Sequence, residues 1–219
     1  MKIEVFLLYF GGNNMKIKWI GHSCFQIEEK GYQIVIDPFN PLMLPNIGKY
    51  DVSANEILCS HEHDDHNYRE GVNLLDNSVL NPFEITHLVT YHDHVRGKKR
   101  GNNIIHILET DNYKLAHFGD LGSDLTPDHI NKLRNLDFLF IPVGGFFTIN
   151  ADEAKKIVDK LNPKHVIPMH YKGQKTGFEV LSTVNDFLKY FKKSEIKHLK
   201  SNELVVNHEL KELVIIFEI

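Results

Sequence analysis

Residues 60–66 constrain this chain most, because they place four metal-binding side chains within six positions: His61, His63, Asp65 and His66. The apolar stretch 56–59 just before them predicts a short strand. On an extended segment His61 and His63 lie on the same side, since side-chain direction repeats every two residues. Asp65 and His66 then turn toward a neighbouring position. The spacing predicts two ligands for each of two adjacent metal ions, and a solvated loop is the weaker interpretation.

The composition favours a metal site and disfavours, without excluding, a role in processing nucleic acids. Histidine, the commonest metal ligand, accounts for 14 of the 219 residues. With 25 basic and 29 acidic residues the net charge is −4, so the chain lacks the broad positive field of proteins that bind nucleic acid non-specifically. Two cysteines, Cys24 and Cys59, are too few for a disulfide framework and fit a reducing compartment.

Short apolar stretches between turn residues predict an α/β fold. Strands are predicted over residues 16–20, 24–28, 33–36, 56–59, 87–91, 104–108, 113–118, 137–143 and 165–168. Helices are predicted from Thr126-Pro127 to before Asp137, over 150–161 and over 178–191. Two last strands, 204–206 and 213–217, are expected to form a closing hairpin.

No linker, repeat or low-complexity run divides the chain, so a single domain is predicted over residues 15–219. Residues 1–14 are expected to be an extension or an extra edge strand, because Met15 opens a natural strand start. No segment reaches the roughly 18 apolar residues that span a bilayer. The short apolar run 5–10 has no signal-peptide cleavage site after it. We therefore expect a cytoplasmic protein without a membrane partner.

The His-x-His-x-Asp-His pattern of residues 61–66 resembles the defining motif of the metallo-β-lactamase superfamily. Five more segments follow the order of that superfamily: 19–25 (WIGHSCF), 36–38 (IDP), 117–122 (HFGDLG), 141–145 (IPVGG) and 168–171 (PMHY). Together they resemble the branch that includes the L-ascorbate-6-phosphate lactonase-like proteins. The resemblance covers about residues 15–190. It implies an αββα four-layer sandwich, with the metal site at one edge of two packed sheets.

The resemblance also implies three further metal ligands. Asp120 fits the carboxylate that bridges both metals, since its two oxygens can each bind one cation. His170 matches the final histidine of the pattern. The third histidine of the first site is His92 or His94, and the related branch favours His92. A turn role for Asp120 and a hydrogen-bonded strand end for His170 are the competing interpretations.

Two divalent metal ions per chain are therefore expected. Zinc is favoured because imidazole-rich sites suit it. Manganese and iron are alternatives, because no thiolate among the candidates selects strongly for zinc. A hydroxide bridging the metals would attack an electrophilic carbonyl carbon or phosphorus. Asp65 would hold this hydroxide as well as bind the second metal. His22, in the turn between two strands, would act as a general acid or a substrate hydrogen-bond donor, and a turn-stabilising role is an equal alternative.

Three functions compete for this site. The first is hydrolysis of a small ester, lactone or phosphorylated metabolite. The second is cleavage of a phosphodiester in a nucleic acid or phospholipid-like substrate, for which the basic segment 96–100 offers an anion-binding loop unless it is merely solvated. The third is a non-catalytic metal-binding or sensor protein, which the complete ligand set disfavours. A homo-oligomer is compatible with the sequence.

Overall fold

The structure, a computed structural model, describes residues 14–44, 46–76, 78–174 and 176–218. Its strands are β1 Lys16–Gly21, β2 Cys24–Glu29, β3 Tyr32–Ile36, β4 Ser53–Ala54, β5 Glu56–Leu58, β6 Asn73–Leu74, β7 Glu84–Tyr91, β8 Asn102–Glu109, β9 Lys114–His117, β10 Phe138–Pro142, β11 His165–Met169, β12 Ile196–His198, β13 Glu203–Val205 and β14 Val214–Ile216. Its α-helices are α1 Pro127–Lys132, α2 Ala151–Leu161 and α3 Asn185–Leu188. None of the helices in these residue ranges has the length and apolar character needed to cross a membrane.

The first sheet has the strand order β13-β1-β2-β3-β5. Its start is an antiparallel meander, in which Ile17 and Trp19 of β1 are buried while Lys16 and Lys18 are half-buried. This alternation follows from the two-residue period of a strand with one face in the core. The strand β5 lies parallel to β3. The carboxyl ends of β3 and β5 therefore share one edge of the sheet.

The second sheet has the order β12-β14-β11-β10-β9-β8-β7. Its central strands β9, β10 and β11 are parallel, and every residue of β10 (FLFIP) is buried. A continuous apolar run is typical of a strand covered on both faces. Because β7 and β9 each pair antiparallel with β8, they run in the same direction. The carboxyl ends of β7, β9 and β11 thus lie at one edge.

The two sheets pack against each other through aromatic side chains. The fully buried ring of Phe25, on β2, lies 4.8 Å from the ring of Phe140 on β10 and 6.2 Å from that of Phe217 after β14. The helix α2 adds a buried face of small and branched residues to the same core: Ala151, Ala154, Val158 and Leu161. Asn150 caps this helix by accepting hydrogen bonds from two main-chain N–H groups of its first turn.

Two of the predicted elements are wrong. The segments 204–206 and 213–217 form no hairpin, because β13 pairs with β1 in the first sheet while β14 pairs with β11 and β12 in the second. The helix predicted over 178–191 is reduced to α3. Main-chain hydrogen bonds from Ser182 to Gly144, and from Lys172 to Ser182, hold the preceding residues in an irregular segment. Long-range pairing here overrides the helical spacing of the apolar residues.

The other predicted strands and the first two helices are confirmed, with ends displaced by a few residues. The short strands β4, β6 and β12 carry no clear sequence signal and were not predicted. The prediction for residues 1–14 lies outside the described residues, except for Asn14. The loops that follow β5, β7, β9 and β11 carry the predicted metal ligands, so the fold gathers them at the strands' carboxyl ends.

Candidate metal centre

The structure brings seven predicted ligands and His22 together at this edge. Their nitrogen and oxygen atoms form three groups, in each of which the ligand atoms lie within 4.8 Å of one another: His61, His63 and His92; His22, Asp65, His66 and His170; His61, His66 and Asp120. The first and second groups share no residue, whereas the third contains one histidine from each. The three groups together form one cluster of imidazole and carboxylate donors that could hold metal.

The carboxylate of Asp120 lies at the centre of these groups. Its Oδ1 is 3.2 Å from Nε2 of His66. Its Oδ2 is 3.3 Å from Nε2 of His92, 3.2 Å from that of His170 and 4.0 Å from that of His61. Asp120 thus lies beside ring nitrogens of residues from both groups.

The two candidates for the third histidine occupy different surroundings. His92 is buried, with its Nε2 beside Asp120. The side chain of His94 is 64% exposed and lies 3.8 Å from Glu153 of α2. After β7 the chain turns, so the two-residue spacing that would place both rings on one side does not persist. His92 lies in the ligand group, and His94 lies outside it.

The donor atoms fit divalent cations. Among the described residues, the buried atoms without a hydrogen-bond partner include Nε2 of His61, His66 and His170, and Oδ1 of Asp120. Unpaired buried polar atoms are rare and costly, so their convergence here calls for a partner. Asp37, Asp65 and Asp120 also concentrate negative charge in a region with little access to water. Imidazole and carboxylate ligands suit zinc, manganese and iron.

Asp37, at the end of β3, orients two of the histidines. Its carboxylate accepts hydrogen bonds from the main-chain N–H of Ser60 (2.6 Å), the Ser60 hydroxyl (2.8 Å) and Nδ1 of His66 (2.9 Å). Because the hydroxyl donates to Asp37, its oxygen can accept from Nδ1 of His61, 2.9 Å away. Both rings therefore present Nε2 to the metal position, and such carboxylate–histidine pairs are typical of metal sites. Asp37 lies in the segment 36–38, and its position in the sequence alone indicates no role for it.

The electrostatics of the group follow from burial and from close opposite charges. Burial, and then His66, lower the pKa of His61 to about 3, so its ring is neutral at pH 7. Burial opposes ionisation of Asp120, but His170 and His66 hold the pKa of this carboxyl well below its usual range. Burial also opposes protonation of His66, yet Asp120 and Asp37 raise its pKa well above the ordinary value. The surroundings of His66 thus favour positive charge, as a cation site does.

The ring of His22 lies in the second group. The turn is held by main-chain contacts: the N–H of His22 donates to Thr176 and its carbonyl accepts from Nε1 of Trp19. The fully buried ring has no hydrogen-bond partner in the described residues, and its Nε2 lies 3.5 Å from Oδ2 of Asp65. Burial, and then His170, lower the pKa of His22 to about 4, so the ring is neutral at pH 7. A neutral ring can donate one N–H hydrogen bond or offer one lone pair.

His117, three residues before Asp120, lies behind the ligands. Its Nε2 is 2.9 Å from the carbonyl oxygen of Ser23, so it links β9 to the turn that carries His22.

Cys59 is half-buried, and burial raises the pKa of its thiol to about 12. A protonated thiol at this position is a poor metal ligand and a poor nucleophile.

A cavity of about 490 Å³ opens beside the ligand groups. His63, Asp65, His92 and Asp120 line its floor, while apolar walls and a basic side chain come from loops: Met43, Phe147, Phe178 and Arg100. A volume of this size suits a small molecule.

Comparisons with known proteins identify the family. The profile of the beta-lactamase superfamily domain matches residues 16–170. A UPF0173 metal-dependent hydrolase of Natranaerobius thermophilus is 31% identical over 187 residues, covering 72% of this chain and 83% of the relative. The chain belongs to the UPF0173 family of metal-dependent hydrolases. This family lies within the metallo-β-lactamase superfamily, so the predicted superfamily and the sandwich fold are confirmed.

Solved structures agree with the UPF0173 assignment. A Thermotoga maritima protein, described as a proposed zinc-dependent hydrolase of the metallo-β-lactamase superfamily, superposes with a TM-score of 0.72 at 36% identity, covering 93% of this chain and 98% of that one. The short form of human tRNase Z shares only the fold, with a TM-score of 0.54 at 10% identity over 74% of this chain and 95% of that chain. The Thermotoga maritima match supports the metallo-β-lactamase superfamily, and the lactonase-like branch stays a prediction.

Replacing Asp37 tests its orienting role. Asp37 has a positive φ of 51°, a conformation that asparagine also tolerates, so Asp37→Asn removes the charge without straining the backbone. We expect zinc affinity to fall about 10- to 100-fold, as for other hydrogen-bonded partners of ligands. Competition with a chelating indicator measures this, and Asp64→Asn, in the same loop as His63 but outside the ligand groups, is the matched control. Equal losses in both variants would contradict the assignment.

His92 and His94 form a matched pair for a second test. His92→Ala removes a ring from a ligand group. We therefore expect zinc affinity to fall by more than about 100-fold, the upper effect of losing a residue that only orients a ligand. His94→Ala removes the same chemical group two residues away and should bind zinc like the unmodified protein. Titration calorimetry of both variants gives the comparison. Weaker zinc binding by His94→Ala than by His92→Ala would make His94, and not His92, the metal ligand.

Proposed function

We propose that this UPF0173 protein hydrolyses a small ester, lactone or phosphorylated metabolite with two divalent metal ions. The observation that carries the proposal is the Asp120 carboxylate, which lies within 3.3 Å of Nε2 of His66, His92 and His170 beside an open cavity. A metal pair supplies a water nucleophile at neutral pH and polarises the substrate oxygen. Such a site needs no serine or cysteine nucleophile.

Each group of side chains has a distinct part in this proposal. His61, His63 and His92 would hold one ion, Asp65, His66 and His170 would hold the other, and Asp120 would bind both. Zinc is the first choice because imidazoles dominate the set, with manganese and iron as the alternatives. Asp37 and Ser60 keep the rings of His66 and His61 in place before the metals bind.

Asp65 has a second role in this proposal, which is to direct the attacking water. Its side chain is 15% exposed and lines the cavity, so it reaches both the ligand group and the substrate space. The surrounding groups keep it ionised: burial opposes its charge, but His66 holds the pKa of this carboxyl well below its usual range. An ionised carboxylate here can accept a hydrogen bond from the attacking water and fix its direction.

The small-molecule substrate is supported by the shape of the site. Ligand pockets of about 300–1,000 Å³ typically enclose molecules of drug size. The cavity is within that range, and one of its walls is formed by the aromatic rings of Phe147 and Phe178, which lie 5.9 Å apart. A broad basic groove for a polymer would require more cations than the single arginine that lines the cavity in the described part of the chain.

Metal analysis combined with a substrate panel tests this function. We expect about two ions per chain after zinc reconstitution, and hydrolysis of esters or lactones in preference to phosphodiesters. Asp120→Asn keeps the size of the side chain but removes the bridging charge, so it should lose metal from one or both positions and several orders of magnitude in rate. Measurements of elemental content and turnover report both effects.

The panel also separates the competing functions. Preferential cleavage of a phosphodiester would make the protein a phosphodiesterase. Two bound metals without turnover of any class would leave a metal-binding or sensor protein. Near-normal turnover by Asp120→Asn with both metals bound would remove Asp120 as the bridge.

We further propose that His22 donates a hydrogen bond to the substrate. Its ring makes no hydrogen bond to its own turn in the described residues, so we expect His22→Ala to lower turnover far more than it lowers the thermal midpoint. The turnover number should fall by at least about 10², the lower range for a positioned proton donor. Thermal unfolding, metal content and turnover are measured together on the same preparation.

Two results would contradict this role of His22. A variant that melts much earlier, yet turns over normally at low temperature, would make His22 part of the scaffold. A variant that loses one metal ion at unchanged stability would make it a ligand, as its position in the second group also allows.

A further inference from the structure

Arg100 is the basic side chain of the cavity. Of the described residues that line the cavity, it is the one lysine or arginine. Its neighbours in the loop, Lys98 and Lys99, are exposed and do not line the cavity. The basic segment 96–100 therefore does not act as one patch. One of its cations lies beside the metal ligands, while the others extend into solvent.

The loop that carries Arg100 is held in one conformation by a buried carboxylate. Asp93 accepts hydrogen bonds from four main-chain N–H groups at 2.8–2.9 Å: those of Val95, Gly97, Lys99 and Arg100. The loop then closes on the metal centre, because the N–H of His92 donates to the carbonyl of Gly101. The backbone of Arg100 is thus tied to the residue beside His92, a member of the first ligand group. Such preorganisation lowers the entropic cost of binding a ligand.

The guanidinium of Arg100 is positioned but not neutralised. One Nη2–H donates to the carbonyl of Phe146 at 3.3 Å, and the guanidinium carbon lies 5.5 Å from the ring centroid of Phe147. No carboxylate in the described chain lies within ion-pair distance of it. Glu62, one of the acidic residues that line the cavity, is bound by both terminal nitrogens of Arg69. Arg100 therefore keeps its charge and most of its N–H donors for a ligand.

We propose that Arg100 forms an oxyanion-binding subsite, so that the substrate is a small ester or lactone carrying a carboxylate or phosphate group away from the bond that breaks. The proposal rests on the hydrolase function proposed above. The scissile carbonyl lies at the metals, the apolar middle of the molecule contacts Phe147 and Phe178, and the anionic group binds the guanidinium. The planar fork of arginine matches the paired oxygens of a carboxylate or phosphate.

Three para-nitrophenyl esters test this subsite. The hexanoate is neutral, the mono-adipate replaces its terminal methyl group by a carboxylate, and the ester of ω-phosphooxypentanoic acid carries a phosphate at about the same place. The measured quantity is kcat/KM for each anionic ester divided by kcat/KM for the hexanoate. A charge-assisted pair contributes about a 10- to 100-fold effect. The adipate and phosphate arms show which anion the subsite prefers.

We expect Arg100→Gln to lower this ratio about 10- to 100-fold. Arg100→Lys, which keeps the charge but loses the fork, should lower it less. Lys98→Gln removes the same charge from the same loop outside the cavity and should leave the ratio within about twofold of the unmodified protein. Metal content and thermal midpoint are measured for each variant, so that a misfolded protein is recognised. A ratio unchanged in Arg100→Gln, or lowered equally in Lys98→Gln, would overturn the proposal.

Calorimetry separates failure of the subsite from failure of the hydrolase function. Binding of adipic monoanilide, which keeps one free carboxylate, and of hexanoic anilide is measured on the zinc-loaded protein and on Arg100→Gln. Both anilides hydrolyse far more slowly than the esters. If no ester is turned over, the proposed ester hydrolysis is wrong, and the subsite is still decided by this binding. The subsite requires Arg100→Gln to weaken the adipic anilide at least about 10-fold relative to the hexanoic anilide. Equal weakening of both anilides would overturn it.

Discussion

Three carboxylates with little access to water, those of Asp37, Asp65 and Asp120, lie among histidine rings where the two sheets meet. Removing a carboxylate from water costs several kcal/mol unless opposite charge and hydrogen bonds compensate it. The main-chain N–H and the hydroxyl of Ser60 donate hydrogen bonds to the carboxylate of Asp37 and compensate part of this cost. The remaining negative charge favours protonated histidine or a bound cation. Metal binding and the stability of this edge are therefore linked.

The same compensation explains how unusual backbone conformations persist here. Three of the eight non-glycine residues with positive φ in the described chain lie at the metal centre: His22, Asp37 and His170. Such conformations are uncommon outside glycine and remain only where the surroundings enforce them. A Cβ on Gly144 would overlap the carbonyl oxygen of His170, so glycine permits the close approach of the two loops. Packing and hydrogen bonds thus hold ligand residues in positions that the backbone alone would avoid.

The metal side and the substrate side of the site have different origins. The proposed metal ligands follow the carboxyl ends of strands in two sheets, and the sheets fix their relative positions. The walls of the cavity come from loops that carry Met43, Arg100, Phe147 and Phe178. Loops vary more easily than the strands they connect, because little of the core depends on them. One scaffold can therefore keep its metal chemistry while the loops select different substrates.

The types of the candidate ligands, their order and most strands are predictable from local patterns in the sequence. Residues 60–66 combine four ligands at a strand end, and no tertiary information is needed to read them. The apolar run of β10 and the capped helix α2 are equally local signals. Features that depend on long-range pairing are visible only in the folded chain. β13 and β14 lie in different sheets because their partners are far along the chain, and residues 178–184 remain irregular because main-chain groups of distant loops compete for their hydrogen bonds.

The fold also directs particular side chains. It places His92 but not His94 in a ligand group, Asp37 beside His66, and Arg100 alone of its basic segment at the cavity. These three outcomes depend on how turns direct side chains between packed sheets, and spacing along the chain does not encode that direction.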